Sequence, residues 1–218
     1  MYTCTSCGEK HEDMPALCFA TPDPYNQLRE EERIAYQAEC DSDFCIIRYP
    51  DQTDRFIRAV LLIPIIGHEE TLEYGVWVSV SEKSFNDYQN DFHDNPENVV
   101  YFGRICNWLP PYESDTFGLH CNVVTQSDNR RPLLQMHQGS EHPLVHDFYH
   151  GIEYAEAQAR IEAAFGADYE GPNGKPPSIE RNHVRRLPPV PATAANLPAV
   201  EPVAANCPLR RNPYRLRL

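Results

Sequence analysis

Two neighbouring β-rich runs constrain this chain more than any other feature. DRFIRAVLLIPII, Asp54 to Ile66, is too apolar for an edge strand and too rich in β-branched residues for a helix. In LEYGVWVSVS, which follows, alternation puts Leu72, Tyr74, Val76, Val78 and Val80 on one face and Trp77 and Ser79 on the other. The intervening IGHEE fits a hairpin loop. A hairpin of this kind needs a sheet around it and something packed on its apolar face.

The rest of the sequence supplies both. FCIIRY (Phe44 to Tyr49) reads as a short strand, and further strands are predicted around VVYFGRI, FGLHCNVVTQ and RPLLQMHQ. TPDPYNQLREEERIAY carries Pro and Asp start signals, predicting a helix from about Pro24 to Glu39. Ser81 is a natural N-cap for a helix whose Phe85, Tyr88 and Phe92 recur at three and four. Pro143 fits the first position of another helix and Gly151 its stop, after which about twelve helical residues run to Phe165. Strands joined by short turns, with helices grouped between and after them, give an α+β domain with a mainly antiparallel sheet.

The domain is expected to end at residue 165. Residues 166–218 hold ten of the twenty prolines and no apolar period, so they are read as a disordered, partly polyproline-like tail. The remaining 165 residues are enough to bury roughly 70% of their unfolded surface. Charge divides at the same boundary. The tail has eight Lys and Arg against four Asp and Glu; the chain carries −13 overall, which leaves −17 on residues 1–165. Such a surface repels phosphate backbones and anionic lipid and favours a basic protein partner. The first twenty residues lack the apolar stretch of a signal peptide, and no run approaches a membrane span. A cytoplasmic protein is therefore expected, with its eight cysteines in a reducing compartment.

Three stretches, YGVWVSVS, YFGRICNWLPPYESDTFGLHCNV and RPLLQMHQGSEHPLVHDFYHGI, resemble the bacterial "domain of unknown function" family numbered 2199. CTSCGEKH at the N-terminus and DFCII (Asp43 to Ile47) are similar to two further motifs of that family, so the likeness covers about Tyr2 to Phe165. The resemblance implies one small domain and no known activity. His146 and His150 stand where the family usually has other polar residues.

Several side-chain groups bear on chemistry. Cys4 and Cys7 form a C-x2-C turn with His11 close behind, a knuckle over residues 4–11 suited to a tetrahedral structural zinc. A fourth ligand must come from elsewhere: Cys45 first, then Cys40 or Cys18. The alternatives are thiols that merely pack at the terminus and a redox pair, though the βαβ setting of the latter is missing. A second group is His142, His146 and His150, spaced by four, with Asp147 adjacent and His137 upstream. On one helix His146 and His150 share a face, as metal ligands do, which would suit a metal-dependent hydrolase. Yet the Glu of H-E-x-x-H is absent, His142 fits a cap, and His150 suits a helix C-terminus. No G-x-S-x-G, P-loop or G-x-G-x-x-G occurs. Cys106 and Cys121 lie on apolar strands, where a buried, inert thiol is expected, and His120 and Cys121 must face opposite ways.

NWLPPYESDTFG, finally, reads as an aromatic-rimmed loop in which Trp108 and Tyr112 are candidate partner-binding anchors. The leading expectation is thus a small binding protein with a structural zinc, recognising a basic protein, one version being immunity- or antitoxin-like by compositional analogy. The alternative is the histidine-based hydrolase. A third reading is a zinc-ribbon adaptor that docks through its tail.

Overall fold

The computed structural model of the chain describes residues 2–3, 10–11, 14–94 and 96–165, the first two pairs and Phe165 by backbone alone. The strands are β1 (Tyr2–Thr3), β2 (Lys10–His11), β3 (Leu17–Cys18), β4 (Glu39–Cys40), β5 (Phe44–Arg48), β6 (Thr53–Pro64), β7 (Thr71–Val80), β8 (Val100–Ile105), β9 (His120–Val124) and β10 (Leu133–Met136). The helices are α1 (Asp23–Asn26), α2 (Glu30–Ala35), α3 (Glu82–Asn90), α4 (Pro143–His150) and α5 (Tyr154–Phe165). The α+β class and the mainly antiparallel sheet are as expected. Cys4, Cys7 and the tail at 166–218 lie outside the described residues. No helix among the described residues is long and apolar enough to cross a membrane.

The two long strands organise everything else. β6 and β7 pair antiparallel along nine residues, from Phe56↔Ser79 to Pro64↔Thr71. Each then divides its outer edge between two neighbours. β7 takes β8 near its end and β3, in parallel, nearer its start. β6 takes β5 over its first half, and at Val60 it pairs in parallel with Leu133 of β10. Because β8, β9 and β10 form a meander, that last pair closes β6–β7–β8–β9–β10 into a small barrel. β5, β4 and β3 remain outside the ring as wings.

Alternation fills the barrel. Ile57, Ala59, Leu61 and Ile63 of β6 and Leu72, Tyr74, Val76, Val78 and Val80 of β7 belong to the main core. α3 begins as its cap residue dictates, Ser81 Oγ accepting from Ser84 N at 3.1 Å. Its Phe85 and Tyr88 are buried, and Phe85 meets Phe44 edge-on at 5.5 Å. α4 is held to the barrel by a parallel bridge from Ile152 to Ile65 and by the Tyr149 hydroxyl, which donates to the Met136 carbonyl. Gly151 ends α4 at φ 79° and ψ 172°, a backbone region open essentially to glycine alone.

The opposite face of β5–β6–β7 is not solvated. Trp77 and Phe56 join Cys45, Ile47, Tyr49, Leu28 and Cys106 in a second core, covered by the segment carrying α1 and α2. This second core breaks the single helix expected over 24–39. Leu28 turns inward between α1 and α2, and Arg29 restarts the helix, its backbone N–H donating to Glu32 Oε2 at 2.9 Å. At the other end Gln37 adopts φ 44°, and bonds from Ala38 N to Arg33 O and Gln37 N to Ile34 O make a Schellman stop.

Candidate functional site

The NWLPPYESDTFG stretch is anchored at its base by a buried asparagine. Asn107 Oδ1 accepts from Trp77 N at 2.8 Å, while its Nδ2 donates to Thr21 O at 3.0 Å and to Asp23 Oδ1 at 3.1 Å. The other Asp23 oxygen accepts from Trp108 N at 2.7 Å. Burial pushes the Asp23 carboxyl up, and the bonds from Trp108 and Asn107 pull it back. Thr116 closes the loop by donating to Asn107 O at 2.8 Å and accepting from Leu109 N at 2.9 Å. Between these ends Trp108 is half-buried, while Pro110, Pro111, Glu113, Ser114 and Asp115 are exposed.

Tyr112, the second candidate anchor, does not face solvent: it is 5% exposed. Its hydroxyl donates to Asp147 Oδ2 at 2.8 Å and accepts from Arg160 Nη1 at 2.8 Å. Arg160 also reaches Asp147 Oδ2 and Glu156 Oε1, each at 2.9 Å, and lies over the Tyr112 ring at 4.8 Å. Burial pushes the Tyr112 phenol up, with the Arg160 charge acting the other way. Burial works against the Arg160 charge, but the oxygens of Tyr74, Tyr112 and Glu156 outweigh it and hold that pKa above its ordinary value. This clamp joins loop, α4 and α5. Sequence reasoning missed it; the available signal was the i,i+4 pair of Glu156 and Arg160 in an otherwise alanine-rich helix.

The histidines of α4 separate into two roles. His142 is the helix cap: its Nδ1 accepts from Leu144 N at 3.0 Å. The neutral ring must then carry its proton on Nε2, which lies 3.2 Å from Ser114 O and 2.9 Å from Ser114 Oγ. Both nitrogens are committed, and the second bond pins the loop to α4. His146 and His150 do come together, their rings 4.6 Å apart beside a shallow groove of about 480 Å³. Asp147 turns inward to Arg160. His137 is elsewhere engaged, its Nε2 2.7 Å from Asn122 Oδ1 and its ring near Phe102 and His120. Burial, and secondarily His120, lowers its pKa. Among the described residues no three His, Cys, Asp or Glu side chains are arranged to hold a metal.

The cysteines divide by access. Cys45 is fully enclosed in the second core, and burial, then contact with Cys40, pushes its thiol far up. Cys106 and Cys121 are likewise buried with raised pKa values, chiefly through desolvation. Cys18 is exposed, and His11 is described only as backbone paired with Tyr2.

Residues 14–165 contain 25 Asp and Glu against ten Lys and Arg. Seven of those ten, Arg29, Arg33, Arg48, Arg55, Arg130, Arg131 and Arg160, are in ion pairs. The outward field is therefore set by carboxylates, including Glu113 and Asp115 on the pinned loop.

The family described as "Uncharacterized protein conserved in bacteria (DUF2199)" matches residues 3–152. The match includes the loop, Asp147, His142, His146 and His150 but stops short of Arg160. No curated protein and no solved structure matches.

Proposed function

The chain belongs to this bacterial family, and since its description assigns no activity, we propose the function from the loop: a non-enzymatic binding domain that receives a basic protein partner. One observation carries the reading. The 107–118 loop is fixed at its base by Asn107, Asp23 and Thr116 and at its tip by Tyr112 and His142, yet leaves Pro110, Pro111, Glu113 and Asp115 exposed beside a half-buried Trp108. A surface already rigid loses little entropy on binding, and a half-exposed aromatic side chain on a loop that also carries exposed Glu113 and Asp115 suits a basic partner that buries one apolar contact. Trp108→Ala is expected to weaken association by about 2 kcal/mol, roughly thirtyfold in Kd, chiefly through faster dissociation. His146→Ala with His150→Ala should leave it unchanged. Calorimetry with the purified partner measures both, and the reverse pattern would favour the hydrolase.

The zinc knuckle belongs to the same proposal as a structural clip. Cys4, Cys7 and His11 supply three ligands. For the fourth, Cys18 is better suited than Cys45 or Cys40, because its thiol is exposed and follows the knuckle closely in the chain. A thiol enclosed in apolar surroundings, as Cys45 is, strongly disfavours the thiolate a metal needs. Metal analysis of the chelator-free protein should give close to one zinc per chain, lost in Cys4→Ser and Cys7→Ser and reduced in Cys18→Ser. A metal-free wild-type protein would contradict the clip.

A further inference from the structure

We infer that Cys40 and Cys45 form an oxidisable dithiol, a modification site that a peroxide closes to a disulfide and a thiol reductant reopens. The register carries the inference. Cys40 pairs directly with Cys45 across the antiparallel β4–β5 hairpin. The adjacent residues Asp41 and Phe44 are joined by Asp41 N donating to Phe44 O at 2.9 Å. In an antiparallel ladder the next pair is of the non-hydrogen-bonded kind, with Cα atoms about 4.5 Å apart and side chains at their closest. That separation falls inside the roughly 4.4–6.8 Å a disulfide spans without backbone movement. The turn keeps the register, since Asp41 Oδ1 also accepts from Asp43 N at 2.8 Å and Phe44 N at 2.7 Å.

The two thiols also differ as the chemistry requires. Cys40 lies on a two-residue edge strand and is half-exposed; Cys45 is fully enclosed. The Cys40 sulfur, as thiolate, attacks one oxygen of hydrogen peroxide. The O–O bond breaks, and the departing hydroxide takes up a proton as water, leaving a sulfenic acid on Cys40. The Cys45 sulfur then attacks the Cys40 sulfur while its proton passes directly to the departing oxygen, so that no free buried thiolate forms; the S–O bond breaks and a second water leaves. Two thiols are oxidised by two electrons, and one peroxide is reduced to two waters. Enclosure of Cys45 keeps it from reacting with oxidant itself and leaves Cys40 as its reachable partner. Among the described residues Cys121 stands in register with Met136 and Gly103, and Cys106 lies outside the strands.

The test uses the full reduced chain treated with hydrogen peroxide, then alkylated under denaturing conditions and digested with trypsin. Cleavage after Arg33 and Arg48 puts both cysteines on the peptide 34–48. The expected result is that peptide lacking two hydrogen atoms and carrying no alkyl group, reverting to the doubly alkylated form after dithiothreitol. In Cys45→Ser, Cys40 should proceed to sulfinic acid for want of a resolving thiol. In Cys40→Ser, Cys45 should survive as a thiol; this surface variant decides the matter even if Cys45→Ser does not fold. The inference is overturned if wild-type Cys40 goes to sulfinic acid while Cys45 stays a thiol, or if Cys40 bridges another cysteine. It is also overturned if Cys40 in the reduced protein resists alkylation until zinc is chelated, since both thiols would then be metal ligands.

Discussion

Arg160→Ala is expected to destabilise the domain by about 3–5 kcal/mol, the usual consequence of removing one partner from a buried ion pair. The Arg160 side chain is 6% exposed, and its loss leaves Asp147 Oδ2 and the Tyr112 hydroxyl enclosed without their cation. Of its recorded partners the carboxylate would keep only the Tyr112 hydroxyl and, at 3.7 Å, His146 Nδ1. The Glu156 arm contributes little, because that carboxylate is 45% exposed and screened by water. Glu156→Ala should therefore cost under about 1 kcal/mol. An Arg160→Met, Asp147→Asn double variant should cost less than the sum of its single changes, since each relieves the other's unpaired charge. Denaturant unfolding of the wild type, Arg160→Ala, Glu156→Ala, the double variant and its two single changes reads this directly. If Arg160→Ala shifts stability no more than Glu156→Ala, α5 is not clamped to the loop.

Trp77→Ala should be the most damaging change in the second core, by about 3–5 kcal/mol. Trp77 is fully buried on the outer face of β7, where its ring Nε1 donates to Phe19 O at 3.1 Å. Truncation opens a cavity beside Phe56 and Cys106 and strands the Phe19 carbonyl as well. At roughly 2–4 °C per kcal/mol for a chain of this size, the melting temperature should fall by about 6–20 °C. Trp77→Phe, which keeps most of the volume but loses the donor, should lie between. An unchanged melting temperature in Trp77→Ala would mean the α1–α2 segment is not packed on the sheet.

Those two residues also mark where the sequence can and cannot be read. The alternation through β7 assigns both of its faces, because a strand's period is fixed by its backbone. What covers the Trp77 face is written elsewhere, in Leu28 and Cys45, whose packing has no local signature. Ser81, His142 and Gly151 were legible as caps and stop because their hydrogen bonds close within a few residues. The long helix expected over 24–39 was not realised, as burying Leu28 outweighed helical continuity. Barrel closure rests on one parallel pair, Val60 with Leu133, between segments far apart in the chain. Tyr112 looked like a surface anchor since a loop of prolines and acids surrounds it; only tertiary contact with Asp147 and Arg160 draws it inward. Trp108, in the same loop, is half-buried.

The central claim, recognition of a basic protein through the acidic, pinned loop, is tested most directly by one titration series. The partner captured by the full chain is identified, purified and bound back by calorimetry at about 50 and 300 mM salt. The same measurement is made on a Glu113→Lys, Asp115→Lys variant. The account predicts a partner with net positive charge whose association weakens at least about tenfold over that salt range, and again in the charge-reversed loop. A partner of acidic character, or an affinity indifferent to both salt and loop charge, would contradict it.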